Sequence, residues 1–388
     1  MIDKSFSMSL ILLFVLISFV VGLSLISNKI WGGEPEEPSE MSALKIEKEM
    51  TVEQFGRANE IPKNILKEIF GLKEKSDLEK KLSEYGTADQ ISSMANKKLA
   101  LASEGASKNW IKIPLKFVLW FAFLSTNFIF LRNRKVTATL RKWLLFAAVL
   151  LFGVILGADP NPMGPVKDAI HLYGATHVIY LPRLSALTVF LAIVILANKY
   201  ICAWGCQVGT LQDLIFRINQ TDKRKSVIGK QIKLSFALTN SIRVLFLFVF
   251  TLAAFLWAID IIEPIDPFKI FKPATLGLSG GVFVGLLVLA GLFIYRPWCH
   301  FCCPFGLVGW LFEKFSFVRI SVDYETCIAC QKCATACPST VMGAILRRDK
   351  KTIPDCFACY TCREVCPTDS IRFSTRKRIS PSAGHFDK

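Results

Sequence analysis

The sequence predicts a mainly α membrane protein: six transmembrane helices, a small extracytoplasmic helical domain, and a C-terminal α+β domain built around two iron–sulfur clusters. Three observations carry that prediction. Of the 388 residues 52% are hydrophobic, and they gather in blocks long enough to cross a hydrocarbon core, which takes about 20 helical residues. The net charge is +16, and the basic residues bunch in the loops between those blocks, as positive-inside topology requires. Near the C-terminus one cysteine run occurs twice: Cys327-x2-Cys330-x2-Cys333-x3-Cys337-Pro338, then Cys356-x2-Cys359-x2-Cys362-x3-Cys366-Pro367. Topology accounts for the charge, and no motif supports a nucleic-acid partner.

Residues Ser5 to Asn28 carry no charge and no small-residue cleavage site follows, so residues 1–29 read as an uncleaved transmembrane anchor. Residues 30–109 lack cysteine and read as a small extracytoplasmic helical domain. A linker rich in Gly, Pro and Glu (Gly32 to Ser39) opens it. Three capping boxes follow, Thr51-x-x-Gln54, Ser76-x-x-Glu79 and Thr87-x-x-Gln90, each predicting a helix start. Pro62 precedes Ile65, Leu66, Ile69 and Phe70, which fall on one helical face. Nothing in this domain could carry a redox centre, and docking or spacing is its expected role.

Residues 110–320 hold five further spans, approximately Ile113–Leu131, Trp143–Ala158, Leu184–Ile201, Phe236–Ile259 and Pro273–Tyr295. Trp110, Trp143, Trp204, Trp257 and Trp298 lie at span ends, where an aromatic belt belongs. Gly277-x3-Gly281-x3-Gly285 predicts close approach of a neighbouring helix. One pair of loops is basic (Arg132, Arg134, Lys135, Arg141 and Lys142; Arg217, Lys223, Arg224, Lys225 and Lys230), which sets it on the cytoplasmic side. The loops around Asp159–Arg183 and Asp260–Lys272 are poorer in basic residues. This orientation places the C-terminal domain (321–375) and the basic tail (376–388, with Arg376, Lys377 and Arg378) in the cytoplasm, and residues 30–109 outside.

The duplicated run has the bacterial ferredoxin spacing for two [4Fe–4S] clusters, in which the fourth cysteine of each run crosses to the other cluster. One ligand set is then Cys327, Cys330, Cys333 and Cys366, and the second is Cys356, Cys359, Cys362 and Cys337. Structural zinc usually takes isolated C-x2-C pairs, and large reduced chains seldom carry disulfide frameworks, so both readings fit less well.

A second cysteine system follows the fourth and sixth spans, where they reach the cytoplasmic face. Cys202-Ala-Trp-Gly-Cys206 leads into Gln207 and Gly209, and Cys299-His-Phe-Cys-Cys303 leads into Pro304 and Gly306. The shared C-x3-C-x2-Gly pattern is an internal repeat, so the membrane domain has two related halves. Residues four apart lie on one helical face. Two such pairs brought together could hold a further cluster or metal, or cycle between dithiol and disulfide. Cys302, outside both pairs, reads as packing.

The two C-x3-C motifs at span ends followed by the double ferredoxin run resemble the membrane ferredoxins of the quinol dehydrogenase family. That family includes the membrane subunit serving periplasmic nitrate reductase and the iron–sulfur membrane protein of nitrous oxide reduction. The resemblance covers about Ile113 to Phe373 and implies electron exchange with the quinone pool. It carries a redox role onto Cys202, Cys206, Cys299 and Cys303. Gln207 stands where the family motif has proline, and Gly174-Ala175-Thr176 lacks the surroundings of a flavin attachment site.

The four histidines (His171, His177, His300 and His385) provide no pair inside the spans for haem. His171 and His177 lie in an outer loop and could help protonate a quinone, although surface histidines are common. Arg243, inside a span, reads either as functional or as snorkelling to the interface.

The sequence therefore describes a membrane iron–sulfur electron-transfer protein of the cytoplasmic membrane, coupled to the quinone pool and to a redox partner protein. Whether it is itself an enzyme with quinol dehydrogenase activity is left open. Two other classes fit the same residues: a maturation factor whose C-x3-C thiols reduce a metal or disulfide in a client, and a redox sensor whose clusters report without turnover.

Overall fold

The structure, a computed structural model, describes residues 4–31, 44–47, 49–72, 74–106, 112–220, 226–348, 355–375 and 378–386. The predicted linker Gly32 to Ser39, Trp110, Lys223, Arg224, Lys225, Arg376 and Lys377 lie outside the described residues.

Helix α1 (Lys4–Trp31) is apolar all round. Leu13, Leu16 and Val20 are buried along one stripe while Ile11, Phe14 and Val15 stay exposed, as lipid contact on the free faces requires. Ser9 donates to Ile218 O at one end and Asn28 to Phe271 O at the other, so this helix runs the length of the bundle.

A separate small core follows, built from α2 (Val52–Ala58), α3 (Lys63–Phe70) and α4 (Ala88–Ala106) around Phe55, Leu66, Ile69, Leu82 and Ile91. Thr51 and Gln54 cap α2 reciprocally at 3.0 and 3.3 Å, and Thr87 and Gln90 cap α4 at 3.0 and 3.4 Å. The 3₁₀ turn Lys75–Glu79 has its N-cap at Glu74, two residues before the expected start, with the Glu74 N–H donating to Asp77 at 3.0 Å, so Ser76 lies inside the turn.

The membrane domain contains α5 (Lys112–Arg132), then α6 (Ala138–Ala148), which widens into a π-helical segment, Val149–Ile155. A Cβ on Gly153 would lie 2.4 Å from the Phe271 ring, so the glycine lets that ring press on the backbone. Next come α7 (Met163–Thr176), α8 (Leu181–Ala197), α9 (Tyr200–Trp204), α10 (Gln207–Ile218), α11 (Phe236–Trp257), α12 (Leu278–Phe293), α13 (Pro297–Phe301) and α14 (Pro304–Glu313).

Among the described residues, four helices are long and apolar enough to cross a membrane: Phe6–Ile30, Ile113–Arg132, Ala138–Ile155 and Phe236–Trp257. The other two expected spans, α8 and α12, have 17 and 16 residues, about 25 Å at helical rise against a core of about 30 Å. Both stop early because the chain reverses at left-handed residues, Asn198 (φ 62°) and Arg296 (φ 48°). The Gly277, Gly281 and Gly285 row does not mediate close packing. Gly280 and Gly291 do, with added Cβ atoms 2.5 Å from Pro264 O and 3.3 Å from Ile215.

The C-terminal domain pairs β1 (Arg319–Val322) antiparallel with β2 (Ile371–Ser374), Ile320 opposite Phe373. Three short helices, α15 (Lys332–Ala336), α16 (Val341–Arg347) and α17 (Thr361–Glu364), complete it. Its core is Ile320, Val322, Val341, Met342, Ile345 and Ile371. Phe317 N–H donates to Ile195 O at 2.7 Å, tying the domain to the end of α8.

Candidate redox centres

The C-terminal cysteines gather in two groups. Cys366, Cys327 and Cys330 are the thiols that bear electrostatically on Cys333, whereas Cys359, Cys337 and Cys356, followed by Cys333 of the other group, bear on Cys362. The fourth cysteine of each run thus sits with the other run's first three. The groups differ in exposure. Cys330 is exposed and Cys327 half-buried, while Cys337, Cys356, Cys359 and Cys362 line one pocket together with Met342 and with Tyr295 of the membrane domain.

Backbone donors surround these sulfurs. Ala358 N–H points at Cys356 Sγ at 3.4 Å. Burial alone would raise the Cys366 thiol, but the N–H groups of Thr368, Ser370 and Ile371 outweigh it and hold the thiol below its ordinary range. Amides so placed favour at Cys366 the anionic sulfur a cluster ligand must be, whereas burial pushes the Cys333 thiol up to about 11 and raises Cys337, Cys356 and Cys362 as well. Among the described residues no three Cys, His, Asp or Glu side chains close on a point that a single ion could fill. Four thiols in each group, with the fourth cysteine crossing between runs, form the donor set of an iron–sulfur cluster.

The C-x3-C pairs were expected at the cytoplasmic face of the spans, and the structure moves them inward. After Asn198 the chain climbs back beside α5: Tyr200 Oη donates to Leu124 O at 3.0 Å, and Trp120 Nε1 donates to Gly205 O at 2.9 Å. Helix α10 then runs from Gln207 to Ile218, about 17 Å at helical rise, with eleven of its twelve residues buried. Gln207 Nε2 reaches Pro160 O at 2.9 Å, in the loop that follows the π-helical segment. The second repeat behaves alike, with Trp298 set between Phe246 and Phe283. Cys206 and Cys303 each occupy the residue before a helix, α10 and α14.

The two repeats meet. Cys299 and Cys202 act on Cys206, and Cys299, Cys206 and Cys202 act on Cys303. Cys302 is partly buried and packs against the apolar core.

Sequence reasoning missed the joint between the two systems. The loop 355–361 of the second cysteine run is buried in the membrane domain. Asp355 pairs with Arg243 (2.9 Å) and with Lys199, and Cys356 N–H donates to Glu313 at 3.1 Å. Arg141 donates to Cys359 O, Trp204 Nε1 to Ala358 O (3.3 Å), and Arg217 to Thr361 Oγ1 (3.0 Å). Phe357 lies among His300 (5.1 Å), Lys199 (4.2 Å) and Arg296 (5.4 Å). Arg243 is therefore no snorkelling residue. It is 1% exposed and also donates to Cys299 O and Gly306 O. The signal available in the sequence was a cation three residues before each pair, Lys199 before Cys202 and Arg296 before Cys299.

These cations cross between halves. Arg296, from the second repeat, bonds Cys202 O, Ala203 O and Asp213 of the first. Lys199, from the first, pairs with Glu313 of the second at 3.6 Å. His171 and His177 lie on α7 and at its end, in a different part of the domain.

Residues 320–373 match the family described as 4Fe-4S dicluster domain. Over 173 residues the chain is 29% identical to the Escherichia coli (strain K12) protein named "Putative electron transport protein YccM", which covers 42% of this chain and 48% of that one. The chain thus spans about half the length of that relative. No solved structure matches. The domain match, the relative and the membrane-crossing helices together support a membrane protein with an iron–sulfur electron-transfer role.

Proposed function

We propose that this protein passes electrons between the membrane quinone pool and a redox partner protein, with the C-x3-C thiols on the quinone side of the ferredoxin domain. The observation that carries the reading is the burial of loop 355–361 between the two C-x3-C repeats. It supports a direct connection between the membrane thiols and the inward cysteine quartet.

Cys327, Cys330, Cys333 and Cys366 would hold one [4Fe–4S] cluster, and Cys337, Cys356, Cys359 and Cys362 the other. Such clusters, when bound, accept and release single electrons. The chain supplies the rest. Arg141, Trp204 and Arg217 fix the backbone of the loop, and Glu313 fixes its Cys356 amide. Lys199 and Arg243 neutralise Asp355 and hold the loop against the repeats. Phe357 excludes water between Cys356 and His300. The exposed Cys330 leaves the outer quartet within reach of a soluble partner. In this reading six helices cross the cytoplasmic membrane, α8 and α12 as short spans, with the ferredoxin domain inside and residues 30–109 outside.

The test is quinol-driven reduction in liposomes holding the anaerobic, metal-loaded protein, followed by low-temperature EPR. Reduction that is lost in the double variant Cys299→Ser/Cys303→Ser supports the reading. Clusters that respond to dithionite but never to quinol would overturn it in favour of maturation or sensing.

A further inference from the structure

We propose that Cys202, Cys206, Cys299 and Cys303 together hold a third iron–sulfur cluster, buried inside the helical bundle where its two repeats meet. The inference deepens the electron-transfer reading and rests on it for the centre's use, though not for its existence.

The first support is the donor set. Each repeat contributes two thiols, and the four face one another across the internal symmetry. Four cysteine thiolates are the ligand set of both [2Fe–2S] and [4Fe–4S] clusters.

The second support is the backbone around the sulfurs. Gly209 N–H donates to Cys206, and Gly306 N–H to Cys303. Ala358 serves Cys356 in the same way, as do Ser339 and Met342 for Cys337. Both glycines are required for this turn. A Cβ on Gly209 would stand 2.5 Å from Cys202 O, and one on Gly306 2.8 Å from Cys299 O. Each repeat thus folds back on its own C-x3-C so that an amide meets the second sulfur. Hydrogen bonds to sulfur are a principal means by which proteins tune iron–sulfur centres.

The third support is charge. Lys199, Arg243 and Arg296 are buried beside the C-x3-C thiols, whereas Arg141 and Arg217 stand toward Cys359 of the inner quartet. The Nε–H groups of Arg243 and Arg296 are buried without any acceptor. Buried donors left unpaired are costly. Clusters on four thiolates are anionic and accept such donors, whereas two dithiols or two disulfides are neutral.

The experiment is an iron and acid-labile sulfide count on the full-length, anaerobically purified protein, with Mössbauer spectroscopy to resolve the centres. Two [4Fe–4S] clusters account for about 8 irons per chain, and a third centre raises the count to about 10 or 12. The expected result is the higher count, falling to about 8 in Cys299→Ser/Cys303→Ser and unchanged in Cys302→Ser. A wild-type count of about 8, with the four C-x3-C cysteines recovered as free thiols or as disulfides by mass spectrometry, overturns the proposal. If the double variant fails to fold, the wild-type count and its Mössbauer components decide alone. A high count without quinol-driven reduction would instead retain the third cluster and reject the quinone coupling.

Discussion

The two ferredoxin quartets share one spacing and live in different surroundings. The outer quartet, with Cys330 exposed and Ile328 62% exposed, meets solvent. The inner quartet lines a cavity shared with Tyr295, and its loop is held by Arg141, Lys199, Trp204, Arg243 and Glu313. Spacing alone selects the ligands. The surroundings set one quartet against the membrane thiols and leave the other open to solvent, and only the fold supplies them.

The largest expected effect comes from breaking the inner joint. Asp355→Ala leaves Lys199 and Arg243 buried without their shared carboxylate and should cost about 3–5 kcal/mol. Thermal unfolding would show it as a large fall in Tm. The cost should shrink when Lys199 and Arg243 are replaced by methionine in the same chain. Iron removal should sharpen the contrast next. An anaerobic ferrous chelator should strip the outer quartet first, and EPR should report loss of one cluster signal while the other persists. Simultaneous loss would mean that the two environments do not differ in access.

A smaller change is Trp204→Phe, which removes the indole donor to Ala358 O and should cost about 1 kcal/mol. Denaturant titration would measure it, and the outer quartet's spectrum should not change.

The smallest effect lies away from both quartets, in the ionic cluster of Lys167 with Asp260, Glu263 and Asp266. Burial pushes Asp266 up to about 6, against the pull of Lys167. The folded state then holds this proton more tightly than the unfolded chain does, so the contribution is complete below about 3.8 and lost as pH rises through about 6. Lysines 167 and 269 outweigh burial at Glu263 and hold it at about 2, so its contribution is present above about 4.5 and does not intrude between pH 5 and 7. Acidification from about pH 7 to 5 should therefore stabilise the protein modestly, and Asp266→Asn should abolish that component.

Much of this was legible in the residues. Block hydrophobicity located the apolar helices, the duplicated run marked the dicluster domain, and Thr51 and Thr87 announced their helices. The repeated C-x3-C-x2-Gly pattern marked two halves because both glycines serve the same turn. Hydropathy could not show that α8 and α12 end early, since Asn198 and Arg296 reverse a chain whose composition reads as continuous. Nor could it choose Gly280 over Gly281, because the choice depends on where Pro264 lies. The joint was least legible. Lys199 and Asp355 are far apart in sequence, and a buried ion pair between distant segments leaves no periodic trace. Arg243 was visible as an anomaly, but its partners were not.

The central claim is that the inner quartet stands between the membrane thiols and the outer quartet. It is tested most directly by disabling one quartet at a time, Cys362→Ser for the inner and Cys330→Ser for the outer, and mixing each liposome preparation with quinol. The account predicts that Cys330→Ser still shows quinol-driven reduction of the inner cluster by EPR. In Cys362→Ser the outer cluster should respond to dithionite but not to quinol. Equal quinol-driven reduction of the surviving cluster in both variants would contradict it.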